Sequence, residues 1–315
     1  MQAYLLRRLC MVPLVLLGIS LLTFGLLSLA PGDPAEILLR TRAPGSEPPR
    51  EAVLALRREL RLDDPLPLRY VHWLGGVVQG DLGVSYHSRR AITVELQERL
   101  PATLLLTGAS LALAVAIGLP LGVLAAARFG TGLDAFGRLL GLLGSTIPSY
   151  VLALGLILLF AVHLRWLPAI GYGEPRHLVL PAIALALGSA AQILRLTRAS
   201  LLEVLGQDYI QTARAKGLRE RQVIVRHALK NASLPVITAV GVSLGHLLGG
   251  AVVVETIFGW PGVGKYAVDA IFRRDYPVIQ GFVLYVAVIF VALNVAVDVA
   301  YRWLDPRLHF GHRVA

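Results

Sequence analysis

The chain has 315 residues, of which 56% are hydrophobic and only 16% are charged, and its mean hydropathy is +0.66. Soluble globular chains carry about a quarter of charged residues, so the composition excludes a protein whose whole surface faces water. The formal net charge of +10 would fit a nucleic-acid-binding protein, but its distribution along the chain, given below, has a simpler explanation that needs no nucleic acid.

Six stretches lack Asp, Glu, Lys and Arg over lengths that can cross a bilayer, which needs roughly 20 helical residues. In chain order they are residues 9–30, 102–127, 139–164, 178–194, 231–254 and 278–297. The fourth is the shortest. Prolines lie within or near several of them, and membrane helices tolerate proline where neighbours satisfy the freed carbonyls. We therefore predict an all-α polytopic membrane protein with six transmembrane helices.

The first apolar stretch follows Arg7 and Arg8, as the core of a signal peptide would. It is longer than the roughly 7–15 residues of such a core and has no small-residue cleavage site at its end. It stops instead at the turn sequence Pro31-Gly32-Asp33-Pro34, which ends a helix. We interpret residues 1–30 as a retained N-terminal transmembrane helix.

Charge sets the predicted orientation. If the N-terminus is cytoplasmic, most Lys and Arg of the short segments fall inside, at residues 1–8, 128–138, 195–230 and 298–315. The short external segments 165–177 and 255–277 carry few, and the long segment 31–101 is balanced. An excess of positive charge in cytoplasmic loops is the usual orientation signal, and long loops are discounted. We predict that both termini are cytoplasmic.

The region at residues 31–101 is a large external loop after the first helix. Its stretch Glu51–Leu62 places Val53, Leu56 and Leu60 on one helical face. Such a helix could pack on the outer surface of the membrane domain or serve as a docking platform for an external partner, and the two interpretations are compatible.

The largest cytoplasmic segment, residues 195–233, predicts two helical stretches at 196–205 and 208–231, the second interrupted by Gly217. Small residues at Ala213, Ala215 and Gly217 would leave a surface onto which another protein packs closely. The alternative is a solvated basic loop beside anionic lipid headgroups.

Residues 208–218, DYIQTARAKGL, resemble the EAA loop of ABC importer permeases, and in particular the B-type permeases of the dipeptide/oligopeptide/nickel family. Gln211 and Thr212 depart from the general Glu-Ala-Ala pattern, and no proline directly follows Leu229; both departures are usual in this branch. Further matches in the right order are 31–35 (PGDPA), 80–83 (GDLG), 255–264 (ETIFGWPGVG), 274–277 (RDYP) and 305–307 (DPR).

The resemblance implies a type I ABC importer permease fold, with a transmembrane core at 102–303, the coupling loop 195–233 within it and a cytoplasmic tail at 304–315. It implies a location in the bacterial inner membrane and three kinds of partner: a C-type permease, two ABC ATPase subunits and an external solute-binding protein. Peptides, glutathione and nickel complexes are all carried in this family. The coupling residues that it implies are Gln211, Thr212, Ala213, Arg214, Ala215, Lys216, Gly217, Leu218, Arg219, Glu220 and Arg221.

Two motifs resemble enzyme sites without the context those sites need. Gly259–Lys265 has P-loop spacing, but Tyr266 stands where the hydroxyl of Ser or Thr should follow, and a predicted helix rather than a strand precedes it. Gly241-Val242-Ser243-Leu244-Gly245 has the hydrolase G-x-S-x-G pattern but lies inside an apolar helical run. Helix packing through Gly241, Gly245 and Gly249 explains it better. We expect no catalytic residues, metal site or cofactor.

Polar residues at membrane depth are candidates for function. Those predicted to line a pathway are Gln192, His246, Asn294 and Asp298. Asp298 could instead pair with Arg302 one helical turn later, and His246 could simply bond a neighbouring helix. An ion-coupled secondary transporter remains as an alternative from another class; it would need an essential membrane carboxylate, for which Asp298 is the sequence candidate, and no ATPase partner.

Overall fold

The structure, a computed structural model, describes residues 2–29, 31–42 and 47–304, with side chains described at 11–29, 31–40 and 47–295. Within these residues the chain is helical, and the one extended pairing is an isolated antiparallel bridge between Val84 and Ala91. The all-α class is therefore confirmed.

The helices of the first half are α1 (Gln2–Ser28), α2 (Pro34–Arg42), α3 (Arg50–Glu59), α4 (Leu66–Val78), α5 (Ile92–Ala127) and α6 (Gly132–Thr146). Those of the second half are α7 (Ser149–Leu156), α8 (Pro175–Leu205), α9 (Asp208–Ala215), α10 (Glu220–Gln222), α11 (Leu229–Phe258), α12 (Val263–Phe272) and α13 (Tyr276–Leu304). A π-helical turn at Ile157–His163 extends α7, and another at Val223–Ala228 joins α10 to α11.

Five helices in the described chain are long and apolar enough to cross a membrane, and they correspond to five of the six predicted runs. They are Met11–Ser28, Ile92–Ala127, Pro175–Leu205, Glu220–Phe258 and Tyr276–Val295. The expectation of a continuous third span at 139–164 is wrong, because α6 and the extended α7 meet at an angle of 101°. Pro148 offers no N–H and excludes the helical conformation from the residue before it, and Ile147 is extended with ψ 118°. A count of six spans requires this bent pair to cross as one.

The described chain forms two compact units. The loop unit contains the residues up to Pro101 together with Gly262–Ala292, and the core unit contains Ala102–Pro261 together with the residues from Leu293.

In the core unit, α8 lies against helices that approach it through glycine. A Cβ on Gly118 of α5 would lie 2.5 Å from the Ala190 carbonyl oxygen, and one on Gly144 of α6 would lie 2.8 Å from the Ala191 Cβ. Small residues allow such close backbone contact, which is how membrane helices gain packing energy where water exclusion offers none.

The loop unit packs with larger side chains. Leu56 of α3 is buried against Ala35 and Leu38 of α2, with Val53 and Leu60 beside them. This confirms the predicted amphipathic helix and identifies α2 as the surface against which it packs.

Candidate functional site

The segment predicted to couple the chain to a partner is built around α9. A two-residue link joins α8 to α9, and Gly217, with φ +76°, separates α9 from the helix that begins at Glu220. Glycine adopts this left-handed conformation without the Cβ penalty of other residues. The predicted interruption at Gly217 is therefore confirmed. The second helical stretch is longer than expected, since the helix that begins at Glu220 runs on to Phe258.

One face of α9 packs on the core unit itself. Ile210 is fully buried and Ala213 is 8% exposed, in a cluster with Ala126, Leu201 and Val223. The idea that Ala213 belongs to a partner-facing surface is wrong, because it lies one turn after Ile210 and faces the same interior. This packing fixes α9 to α5, α8 and the start of the α11 helix.

The other face of α9 and the following turn are open. The exposed members of the predicted coupling set are Gln211, Thr212, Arg214, Ala215, Lys216, Gly217, Leu218, Arg219, Glu220 and Arg221. Arg214 donates to both carboxylate oxygens of Glu220, at 3.1 and 2.7 Å, across the glycine turn. This bond raises the pKa of Arg214. Leu218, 38% exposed, adds an apolar group to this basic surface.

A buried ion pair stabilises the same end of the core unit. Asp134, 1% exposed, accepts bonds from Arg198 Nε at 2.5 Å and Nη2 at 3.0 Å, and from the Gly130 N–H at 3.2 Å. It joins the start of α6 to the last third of α8. The sequence analysis missed it because both residues lay in segments assigned to charged loops.

A cavity of about 270 Å³ opens at the break between α6 and α7. Its lining comes from the break, α8 and α11, and its polar side chains are Ser149, Ser189, Gln192 and His246. Among the residues that the structure describes, no Asp, Glu, Lys or Arg lines it. The structure thus brings together two of the four pathway candidates.

One of the other two candidates lies outside that lining, and the other cannot be assigned to it. Asn294 lies on α13, and the Asp298 side chain lies outside the described residues.

The two enzyme-like motifs lack an enzyme context. Ser243 is fully buried within α11 and donates to the Ala239 carbonyl at 2.8 Å, as a helical serine does. Apart from its own helix backbone, no heavy atom of the described chain lies within 4 Å of a Cβ placed on Gly249, so the expected close approach does not occur there within the described chain. At the P-loop-like sequence, α11 rather than a strand precedes Gly259, and Lys265 pairs with Asp269 at 2.6 Å.

A buried carboxylate that the sequence analysis passed over lies near the end of α11. Glu255 is fully buried and accepts a bond from the Thr103 hydroxyl at 2.5 Å, while the Trp260 indole N–H donates to the Ala102 carbonyl at 2.8 Å. Asp298 is therefore not the sole carboxylate candidate for ion coupling. Glu255 and Asp134 are each bonded within the core unit.

Comparison with known proteins identifies the family. Residues 118–310 match the family described as "Binding-protein-dependent transport system inner membrane component", and residues 1–107 match its N-terminal companion family. The dipeptide transport system permease protein DppB of Escherichia coli (strain K12) is 42% identical over 339 residues, covering 98% of this chain and 99% of DppB. The glutathione transport system permease protein GsiC of Pectobacterium atrosepticum is 40% identical over 310 residues, covering 98% of this chain and 100% of GsiC.

Solved structures agree on the fold. An inward-facing structure of the MetNI methionine ABC transporter matches with a TM-score of 0.57 at 24% identity, covering 67% of this chain and 96% of the matched chain. Permeases of this kind work with other permease, ATPase and binding-protein subunits, and ATP hydrolysis takes place on the ATPase subunits. The open face of α9 and the full-length similarity lead to one conclusion: the chain belongs to the inner membrane components of binding-protein-dependent transport systems, the permease subunits of ABC importers, in the dipeptide/oligopeptide branch.

Proposed function

We propose that this permease carries dipeptides or short oligopeptides across the bacterial inner membrane by alternating access, driven by two separate ABC ATPase subunits. The names of its relatives support peptides first and glutathione second; a nickel chelate is the remaining family substrate. The second permease of the pathway would be a C-type subunit, and an external solute-binding protein would deliver the substrate.

The proposed orientation has both termini, the coupling loop 195–233 and the tail 304–315 in the cytoplasm, with residues 31–101 outside. The support is the charge distribution of the sequence and the clustering of exposed basic residues on α9 and its following turn. The remaining proposed domains are the N-terminal transmembrane helix at residues 1–30 and the transmembrane core at residues 102–303.

The observation that carries the coupling proposal is the two-sided construction of α9. Its buried face, Ile210 and Ala213, packs on the core unit, while its open face presents Arg214, Lys216 and Arg219. A force applied to the open face would therefore reach α8 and the α11 helix, between which α9 lies in sequence. Shifting a two-state equilibrium from 1:99 to 99:1 takes about 5.5 kcal/mol of differential binding, which closure of the ATPase pair around ATP would supply.

The test replaces Gly217 with isoleucine. No atom lies within 4 Å of a new Cβ there, but φ is +76°, and a β-branched residue does not tolerate that conformation. We expect the turn to rearrange and the ATPase subunits to be lost when the complex is purified. Gly80→Ile is the matched control, since Gly80 has φ +84° and equally open surroundings in the loop unit. Equal retention of the ATPase subunits in both variants would contradict the proposal.

We propose further that Gln192 and His246 contact the substrate in the cavity beside the α6–α7 break. Their support is the shared cavity, whose described lining offers hydroxyl, amide and imidazole groups and no carboxylate, ammonium or guanidinium group. Those groups suit a peptide, whose amides both donate and accept hydrogen bonds. Asn294 and Asp298 stay proposed pathway residues without that support.

Transport kinetics test the cavity. Gln192→Leu and His246→Leu should raise the KM for dipeptide uptake while the ATPase subunits remain bound. Ser243→Ala is the control on α11, because its hydroxyl bonds its own helix, and its KM should not change. Unchanged KM in both cavity variants would remove these residues from the pathway.

A further inference from the structure

Arginine occupies unusual backbone positions in this protein. In the described chain, four residues other than glycine have positive φ, and all are arginines: Arg61 (51°), Arg89 (60°), Arg165 (56°) and Arg274 (55°). Left-handed backbone crowds the Cβ of every residue except glycine. The sequence therefore places guanidinium groups where backbone geometry favours glycine.

Two helix ends show the contrast directly. At the end of α11, Gly259 takes the left-handed position and the Trp260 N–H bonds the Glu255 carbonyl at 2.8 Å. The end of α12 repeats this pattern, with the Asp275 N–H bonded to the Ala270 carbonyl at 2.9 Å, but Arg274 stands in place of glycine. Glycine is the usual residue at this position of the motif, so helix termination alone does not explain Arg274.

The loop that carries Arg89 is held by hydrogen bonds to two buried carboxylates, those of Asp275 and Glu95. The Asp275 carboxylate, 4% exposed, accepts bonds from the Ser85 hydroxyl at 2.6 Å and from the backbone N–H groups of Tyr86 and His87 at 3.1 and 3.2 Å. The Ser88 hydroxyl bonds the buried carboxylate of Glu95 at 3.1 Å. Because Asp275 is engaged with hydroxyl and N–H donors, it is not paired with the arginines around it.

The same part of the loop unit has a depression lined by apolar and basic side chains. Pro34, Ile37, Leu38 and Tyr86 contribute apolar surface. The other lining residues are His87, Arg273, Arg274 and the buried Asp275. We call the basic lining residues His87, Arg273 and Arg274, together with Arg89 two residues beyond His87 in the same loop, the arginine rim; all four are exposed. Neighbouring Arg90 and Arg57 are paired with Glu98 and Asp33.

Carboxylates of the described chain do not neutralise the arginines of the rim. Among the described residues, neither Arg89 nor Arg273 forms an ion pair with a carboxylate, and Arg274 reaches only the Pro31 carbonyl oxygen, at 3.5 Å. The rim is thus a preorganised positive edge around an apolar centre. Arginine forks on a fixed backbone match carboxylates in pairs of hydrogen bonds and lose little freedom on doing so.

We propose that the arginine rim is the docking site for an acidic surface of the solute-binding protein that delivers substrate. This rests on the proposed function, which requires such a protein. An apolar centre with a polar edge is the anatomy of a protein interface, whereas an anionic lipid surface needs only diffuse positive charge and no arginine fixed in left-handed backbone.

The test uses the left-handed backbone positions that Arg89 and Arg274 occupy. In Arg89→Gly/Arg274→Gly, the left-handed positions receive the residue that suits them, so the thermal unfolding temperature should stay equal or rise while the rim loses two charges. Arg61→Gly is the matched control: it ends α3 in the same hydrogen-bond pattern, with the Leu62 N–H bonded to the Arg57 carbonyl at 2.9 Å, and does not line the depression.

The measurement is ATPase stimulation of the complete importer, reconstituted in lipid nanodiscs, as the solute-binding protein that stimulates the wild-type complex is titrated in. We expect the half-saturating concentration to rise about tenfold for the double variant, as for loss of arginine hot spots, and to stay unchanged for Arg61→Gly. Higher ionic strength should reduce the difference in half-saturating concentration between the double variant and the wild type.

The inference is overturned by an unchanged half-saturating concentration in the double variant, or by an equal rise in the control. A defect that appears in phosphatidylglycerol nanodiscs and vanishes in phosphatidylcholine nanodiscs would assign the rim to lipid and overturn it too. Failure of any binding protein to stimulate the wild-type complex would instead count against the proposed function.

Discussion

The core unit and the loop unit solve the same packing problem with different residues. In the core unit, glycines of α5 and α6 bring backbones against α8, as at Gly118 and Ala190. In the loop unit, the short helices between the spans pack through larger side chains: Leu56 of α3 is buried against Leu38 and Ala35 of α2. Lipid gives little reward for burying apolar area between helices, so close approach must supply the attraction there; water rewards burial itself.

Two buried carboxylates, one from each unit, are also stabilised in different ways. Asp134 of the core unit is neutralised by Arg198, since an unpaired charge is costly away from water. Asp275 of the loop unit is held by a hydroxyl and two backbone N–H groups. The comparison teaches that packing between the spanning helices and packing in the segments that join them follow different rules within one chain.

The largest expected effect comes from breaking the core ion pair. Asp134→Asn leaves Arg198 without its carboxylate, and removing one partner of a buried pair costs about 3–5 kcal/mol. We expect the permease to lose its folded form in detergent at moderate temperature, measured as the melting temperature of the purified complex. Arg138→Gln is the control, because Arg138 approaches Asp134 only to 4.0 Å and is exposed. A melting temperature unchanged by Asp134→Asn would show that the pair is dispensable.

A smaller effect should follow from truncating the core of the loop unit. Leu56→Ala removes the buried side chain between α2 and α3, and such truncations cost about 2–5 kcal/mol; the low end applies to this small cluster. Limited proteolysis should cut the segment around residue 56 faster than in the wild type. Leu54→Ala on the exposed face of α3 is the matched control. Equal cutting rates in the two variants would refute the packing role of Leu56.

Close backbone contact in the core unit can be tested by adding one methyl group. Gly118→Ala places a Cβ 2.5 Å from the Ala190 carbonyl oxygen, whereas Gly108→Ala on the same helix meets nothing within 4 Å. Overpacking costs about 1–3 kcal/mol, so the first variant should melt lower. The second should melt at the wild-type temperature or above, because alanine favours helix. The reverse order would deny that α5 and α8 touch at this point.

The smallest effect belongs to an exposed pair. Arg40→Gln removes a salt bridge to Glu36 of 2.7 Å that lies in the open on α2. Exposed pairs of this kind contribute about 0.3–0.5 kcal/mol, so the melting temperature should barely move. A loss comparable to that of Leu56→Ala would mean that α2 depends on this charge.

Much of the fold could be predicted from the sequence, because bilayer-length apolar runs leave few alternatives to membrane helices. The residues at which the helices end could not be predicted in the same way. Charge-free runs end at the first arginine, yet α8 continues through Arg195 and Arg198 to Leu205, because those side chains bond Ser145 and Asp134 of α6. Which residue pairs with a given charge depends on the tertiary structure and cannot be read from the neighbouring sequence.

The break at Pro148 shows a second limit. A proline in an apolar run is compatible with a straight, kinked or broken helix, and only the surrounding packing decides among them. The coupling segment was easier to recognise, because Gly217 signals its turn locally. The burial of Ala213 was harder to predict, since its buried partners are spread over residues 126 to 232.

The continuous helix from Glu220 to Phe258 has 39 residues, which at 1.5 Å per residue gives a rod about 58 Å long, nearly twice the roughly 30 Å of bilayer hydrocarbon. A rod of this length would act as a lever: turning about 10° around its midpoint, it would carry each end through about 5 Å, one helical pitch. If the proposed coupling is right, a displacement at the Glu220 end would produce an equal displacement at the Phe258 end.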